Sequence, residues 1–252
     1  PPPPPRFSRT RRHPRLVSDW SSDVCSSDLQ VTTDGIQVGD HLIKPAKSAR
    51  NIGAVFDANM QMEHHINSVC KAAWFQLYNI GKIRKYLSIE QTKTVVHAYV
   101  TSKLDQNNSL LSGVPSTKIA KLQRVQIAAA KLIVGAKKRD HVTMILKQLH
   151  WLPVEFRIDF NVLLLTYKAL HGEGPVYIQS LFEWHRPSRA LRSASQLLLS
   201  VPVSNLATYG DRAFSVYAPV RWNSLPHKVR SASSTNAFKT LLKTHLFKCA
   251  FA

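Results

Sequence analysis

Acid is what this sequence lacks most. Its 252 residues hold 15 Asp and Glu against 34 Lys and Arg, a net charge of +19. No two of the acids are adjacent. Nucleotidyl transfer by two metals needs carboxylates converging on divalent ions about 4 Å apart, so no such centre is expected here. Cysteine is scarce as well. Cys25, Cys70 and Cys249 are an odd, unclustered set, which argues against a disulfide framework and for an intracellular setting, nuclear or cytoplasmic rather than secreted. With no C-x-x-C and no Cys/His quartet, the 11 histidines read as core or surface residues rather than metal ligands. The N-terminus has no apolar h-region. The strongest apolar run, "NVLLLTYKAL", is interrupted by polar groups and falls short of the roughly 20 residues that span a bilayer. "HGEGP" lacks the G-x-x-x-x-G-K-S/T phosphate loop. The chain is therefore expected to have no cofactor, no small-molecule substrate and no membrane partner.

What is present is positive charge on a chain able to fold. Hydrophobic residues make up 44% of it, enough for a globular body. A surplus of bases this large points to a polyanionic partner, with nucleic acid ahead of acidic membrane. The first thirty residues differ from the rest. "PPPPPRFSRTRRHPR" is a proline run followed by five arginines and reads as a low-complexity tail. "DWSSDVCSSDL", Asp19 to Leu29, resembles one reading frame of a common sequencing-library adapter without a mismatch, so no function is assigned to Cys25 or its serines. Residues 1–29 carry five arginines and three aspartates; setting them aside leaves 29 bases and 12 acids, a net charge of +17. The first methionine is Met60, and the chain is expected to be part of a longer reading frame.

From Gln30 the pattern begins with β signals and turns helical. Asp34-Gly35 suits a type I′ turn, with Val31 before it and Ile36 and Val38 after. "RNIGAVFD" predicts a third short strand. Beyond it, Ile66, Val69, Ala73, Leu77 and Ile80 share one helix face. Ser88 and Gln91 have capping-box spacing. Ile119, Leu122, Val125, Ala129 and Leu132 mark another helix, with Gly135 as its stop. "LPVEFRIDFNVLLLTYKALHG" reads as a central buried helix from Pro153 to Gly172. A basic loop and an extended segment follow from Glu183, then a helix capped by Asp211, then a terminal amphipathic helix in "TNAFKTLLKTHLF". The expected fold is mainly α (α+β), a helical body with a small N-terminal β hairpin.

The candidate binding residues are basic. On the Ser116 to Val134 helix, Lys121, Arg124 and Lys131 form a stripe opposite the apolar face, with Lys118 beside them. Lys137, Lys138 and Arg139 follow, and no acid interrupts from Lys118 to Arg139. A second cluster, Arg186, Arg189 and Arg192, lies beside Trp184. Such cations can neutralise phosphates, and a tryptophan can stack on a base. An ordinary solvated helix face and a core-bound loop aromatic are the competing readings.

A family resemblance runs through the same residues. "NIGAVFDANMQMEHHINSVCKAAWFQLYNIGKIRKYLS" resembles the segment after the polymerase palm in reverse transcriptases of jockey-like, LINE-type non-LTR retrotransposons. "VVHAYVTSKLD", "LLSGVP", "KLQRVQIAAAKLI", "LHWLPVEFRIDFNVLLLTYKALHG", "YGDRAFSVYAPVRWNSLP" and "FKTLLKTHLF" follow in the family's order. The resemblance covers Gln30 to the C-terminus. It implies a parent protein with an endonuclease and a reverse transcriptase that copies element RNA. The family's F/Y-A-D-D aspartate pair falls upstream of the strand matching "NIGAVFD", so magnesium or a similar divalent metal is expected only in the missing palm. Leu104 to Leu110 departs from the family's L-D-Y-C-N-A/S-L-L pattern by losing an aromatic and a cysteine, as a degenerate copy would.

Together these readings predict four regions: a tail at 1–29, the end of the palm at 30–57, a helical thumb-like region at 58–182 and a mixed C-terminal segment at 183–252. The expected function is a non-catalytic C-terminal fragment of an RNA-directed DNA polymerase. It would bind template RNA or RNA–DNA duplex, with the palm as intramolecular partner. The alternatives are a part of an intact, active reverse transcriptase and a stand-alone helical interaction module.

Overall fold

The change of hydrophobic period along the chain, from two to three-and-four, is matched by strands giving way to helices. The structure, a computed structural model, describes residues 35–44, 46–137, 139–186, 196–206 and 209–251. It is mainly α with a small β portion. Strand β1 (Ile36–Val38) pairs antiparallel with β2 (His41–Ile43), Ile36 opposite Ile43. The described hairpin turns at Gly39 and Asp40. Gly39-Asp40 follows Val38 directly, and Gly39 supplies the left-handed φ of 59°. Asp34 and Val31 lie outside the described residues.

"RNIGAVFD" is likewise two strands instead of one. β3 (Ser48–Asn51) and β4 (Ala54–Asp57) pair across a two-residue loop. Ile52 (φ 47°) and Gly53 (φ 82°) are both left-handed there, the type I′ pattern that suits strand twist. A Cβ on Gly53 would meet the Gln106 side-chain amide at 2.8 Å. Ile52 is strained, being β-branched at positive φ, and Asn107 Nδ2 donates to its carbonyl at 2.8 Å. Ala54 is buried and Phe56 packs on the core, which seats this hairpin against the helices.

Helix α1 (Glu63–Ile83) buries Ile66, Ala73, Leu77 and Ile80, with Val69 half-buried at the edge of that face. A 3-10 turn, Arg84–Tyr86, leads to α2 (Ile89–Val96). The Ser88 capping box is complete: Gln91 N donates to Ser88 Oγ at 3.2 Å and Ser88 N to Gln91 Oε1 at 2.9 Å. A π-turn at His97–Thr101 joins α2 to α3 (Ser102–Asp105). Helix α4 (Ser116–Val134) ends at Gly135, whose φ of 69° no β-carbon obstructs. After α5 (Val142–Gln148) comes α6 (Val154–Leu170), opened by Pro153. The short α7 (Val176–Gln179) leads to a single bridge between Trp184 and Leu199.

Helices α8 (Phe214–Asn223), α9 (His227–Arg230) and α10 (Thr235–Phe251) complete the chain. Asp211 does not cap α8. The carbonyl of Ala213 accepts the first helical bonds, from Val216 and Tyr217, and Asp211 lies two residues upstream of it. One hydrophobic cluster runs from Met62 to Leu246 and continues across residue 183. Its centre is aromatic: Tyr167 of α6 stacks on Phe238 of α10 at 4.2 Å, and Trp222 of α8 lies 5.8 Å from Phe238.

The motifs that carry the family resemblance fall on this scaffold. Asn223 Nδ2 donates to Leu199 O and Leu199 N donates to Asn223 Oδ1, both at 2.8 Å, while Trp222 Nε1 donates to Leu197 O at 2.9 Å. Leu152 O accepts from Gln126 Nε2 at 2.8 Å and from Arg157 Nε at 3.0 Å. Arg212 ties α8's approach to Ser112 O and Met60 O at 3.2 and 2.8 Å. The buried Gln126–Leu152 bond satisfies groups that the apolar core would otherwise leave unpaired.

Candidate nucleic-acid interface

Helices α1 and α4 lie side by side and run in the same direction. At one end Lys118 Nζ donates to Gln61 Oε1 at 2.7 Å. At the other, the Arg84 guanidinium donates to Leu132 O and Ile133 O at 3.0 and 2.9 Å, and to Leu87 O at 2.9 Å. Leu132 O and Ile133 O are carbonyls that the end of α4 leaves open, and a cation suits the negative end of the helix dipole. Arg84 thereby fixes the two helices into one platform.

The expected basic residues divide on this platform. Lys121 Nζ donates to Glu63 Oε1 at 3.2 Å and to Asn67 Oδ1 at 3.0 Å, and Lys118 Nζ lies 3.6 Å from Glu63 Oε2. The Lys121 hydrogen bond, then its charge and that of Lys118, hold the Glu63 carboxyl below its ordinary value. Two lysines of the stripe are thus already engaged by one acid. Arg124 is exposed on the outer side of α4. Its charge and that of Lys121 act on Cys70 of α1, but burial outweighs both and pushes that thiol up. Cys70 is accordingly a poor nucleophile. Lys131 Nζ donates to Lys137 O at 3.3 Å, drawing the segment after α4 back over the helix. Lys137 and Arg139 are exposed, and Asp140 Oδ2 accepts from Lys137 N at 2.6 Å. Arg186 is exposed beside the Trp184–Leu199 bridge, and no hydrogen bond or ion pair among the described residues joins it to α4. Lys138, Arg189 and Arg192 lie outside the described residues.

The reading of α1 by its apolar stripe missed its outer face. Trp74, Phe75 and Tyr78 are 47, 62 and 64% exposed there. Lys71 is exposed one turn before them and Lys82 one turn after. Lys82 Nζ sits 4.4 Å from the centre of the Tyr78 ring, and Lys85 Nζ 4.8 Å from that of Tyr86. The spacing 71, 74, 75, 78, 82 was the available signal, since it is a helical stripe of its own.

Other polar groups come together without an evident reaction. A cavity of about 540 Å³ is lined by Lys93, His97, Asp105, Trp151, Arg157 and Lys243 among others. Its one acid is held by Arg157, whose Nη1 lies 2.8 and 3.0 Å from the two Asp105 oxygens. His97 meets the Trp151 ring edge-on at 5.2 Å, and burial, then Arg157 and Lys93, hold its pKa below the ordinary value. Tyr217 donates to Asp159 Oδ1 at 2.7 Å, and burial and that acid push the hydroxyl up to about 12. It joins α6 to α8 and does not ionise near neutrality. Among the described residues no group of three or more His, Cys, Asp or Glu could hold a metal ion, so no metal step is assigned to them. Among the described residues no helix is long and apolar enough to cross a membrane.

No protein-family model matches the chain, and neither a curated protein nor a solved structure matches it significantly.

Proposed function

We propose that this chain is the non-catalytic C-terminal segment of a retrotransposon RNA-directed DNA polymerase, and that its α1–α4 surface holds template RNA or RNA–DNA duplex. The observation that carries the binding is the charge balance of that surface. Its one acid in ion-pair range, Glu63, is shared by Lys118 and Lys121. Lys71, Lys82, Arg124, Lys137 and Arg139 make no ion pair with any described residue. Cations left open in this way are free to neutralise phosphates and release their counterions. What supports the parentage is the ordered run of motifs from "NIGAVFD" to "FKTLLKTHLF".

The binding is tested by titrating the full chain against an RNA hairpin and an RNA–DNA duplex at increasing salt. Each neutralised phosphate contributes about −0.9 to the slope of log affinity on log salt for duplexes of the B type, and a slope of roughly −3 to −5 is expected. A slope near zero would overturn the reading. The parentage is tested by one uninterrupted sequence read of the genomic locus. An in-frame F/Y-A-D-D upstream, with the codons for Asp19 to Leu29 gone, is the expected result. Native codons for that stretch and no aspartate pair would reject it.

A further inference from the structure

Isolated surface aromatics are ordinary, but contiguous ones mark interaction sites. On α1, Trp74, Phe75 and Tyr78 occupy one outer stripe, with Lys71 before it and Lys82 after. At 1.5 Å of rise per residue the stripe is about 16 Å long, and Trp74 and Tyr78 are about 6 Å apart along the axis. No acid occurs between Glu63 and Glu90 in the sequence, and none lies on α4 beside it. The Lys82 ammonium lies 4.4 Å from the centre of the Tyr78 ring, and that ring is 64% exposed, within reach of a flat group from solvent.

We propose that the outer face of α1 is a stacking platform for single-stranded nucleic acid, its rings taking successive bases and its lysines the phosphates. This rests on the reading above that the chain binds nucleic acid, and assigns to the same platform a preference for the unpaired strand. The chemistry favours such an occupant over a protein. A base presents a π-face to each ring while its phosphate meets an ammonium, and both parts of the stripe are then used at once. In a duplex the bases are stacked on one another and only the phosphates would be met.

The test compares the full chain with Phe75→Ala/Tyr78→Ala on a short oligouridine and on an RNA–DNA duplex. Both rings are exposed, so the buried residues Ile66, Ala73, Leu77 and Ile80 are undisturbed, and circular dichroism checks the helix content. The expected result is a loss of single-strand affinity of about tenfold or more, with duplex affinity and the salt slope unchanged. Trp74 supplies a second readout: oligouridine should quench tryptophan fluorescence in the wild type and not in Trp74→Phe. Unchanged single-strand affinity with no Trp74-dependent quench would overturn the proposal while leaving duplex binding standing. Failure of the wild type to bind either nucleic acid at low salt would reject both readings. A wild-type dimer in sedimentation that Phe75→Ala/Tyr78→Ala dissociates would give the face to a second copy of the chain and overturn the stacking role.

Discussion

The rings of α6, α8 and α10 and the rings of α1 are of the same kinds but sit in opposite surroundings. Tyr167, Trp222 and Phe238 are almost fully buried, stacked on one another, with the Tyr167 hydroxyl donating to Ala232 O at 2.8 Å. Trp74, Phe75 and Tyr78 stand about half or more in solvent, with lysines beside them. The first set is explained by burial and ring contact, which stabilise the fold. The second set contributes less to folding, since about half or more of its area stays in water. The difference teaches that in this molecule aromatic content alone marks neither core nor site; the partner each ring meets decides it.

The largest effect that could break this comparison lies in the core. Trp222→Ala is expected to destabilise the chain by ~3–5 kcal/mol, read by chemical denaturation, because it opens a cavity against Tyr167 and Phe238. An equal loss from Phe75→Ala would erase the distinction between the two regions. Asn223→Ala comes next, at ~1–3 kcal/mol, because both backbone groups of Leu199 lose their partner. Ser88→Ala, which removes one half of the capping box, is expected to cost about 1 kcal/mol.

Acid sharpens the comparison through two enclosed histidines. His65 is buried, its Nδ1 accepts from Val55 N at 3.4 Å, and burial lowers its pKa from 6.5. His97 is lowered by burial and then by Arg157 and Lys93. Below pH 6.5 the unfolded chain takes up protons that these folded rings refuse. Their contribution to stability is therefore complete above that pH and is lost as the pH falls through the folded values. Denaturation midpoints that do not move between pH 7.5 and pH 5 would contradict this. The smallest expected effect is on binding. Glu63→Gln should raise RNA affinity a few-fold and steepen the salt slope, since Lys118 and Lys121 are then released to phosphates.

Much of the helical frame was legible because periodicity and caps are local. The α1 stripe, the Ser88 box, the Gly135 stop and the Pro153 start lie where spacing and backbone preference put them. The turns were less so. "GD" at Gly39-Asp40 is a weaker turn signal than "DG", and "RNIGAVFD" hides a hairpin because Ile52 is a poor signal for a left-handed position. Asp211 is a plausible cap by residue type, but it lies too far from the first helical amide group to serve.

The basic stripe of α4 was also legible, while its availability was not. Sequence alone determined the charge surplus, the succession of short strands and long helices, and the residues able to face inward, because these depend on composition and on neighbours three or four positions away. Only the tertiary structure decided which charges remain open. Glu63 lies 55 residues or more from Lys118 and Lys121 in the chain, and the parallel packing of α1 on α4 brings it to them. The same packing fixes which side of α1 is covered, and so leaves Trp74, Phe75 and Tyr78 outside. Coulomb and contact forces act through a few ångströms of space, and the fold sets which residues share that space.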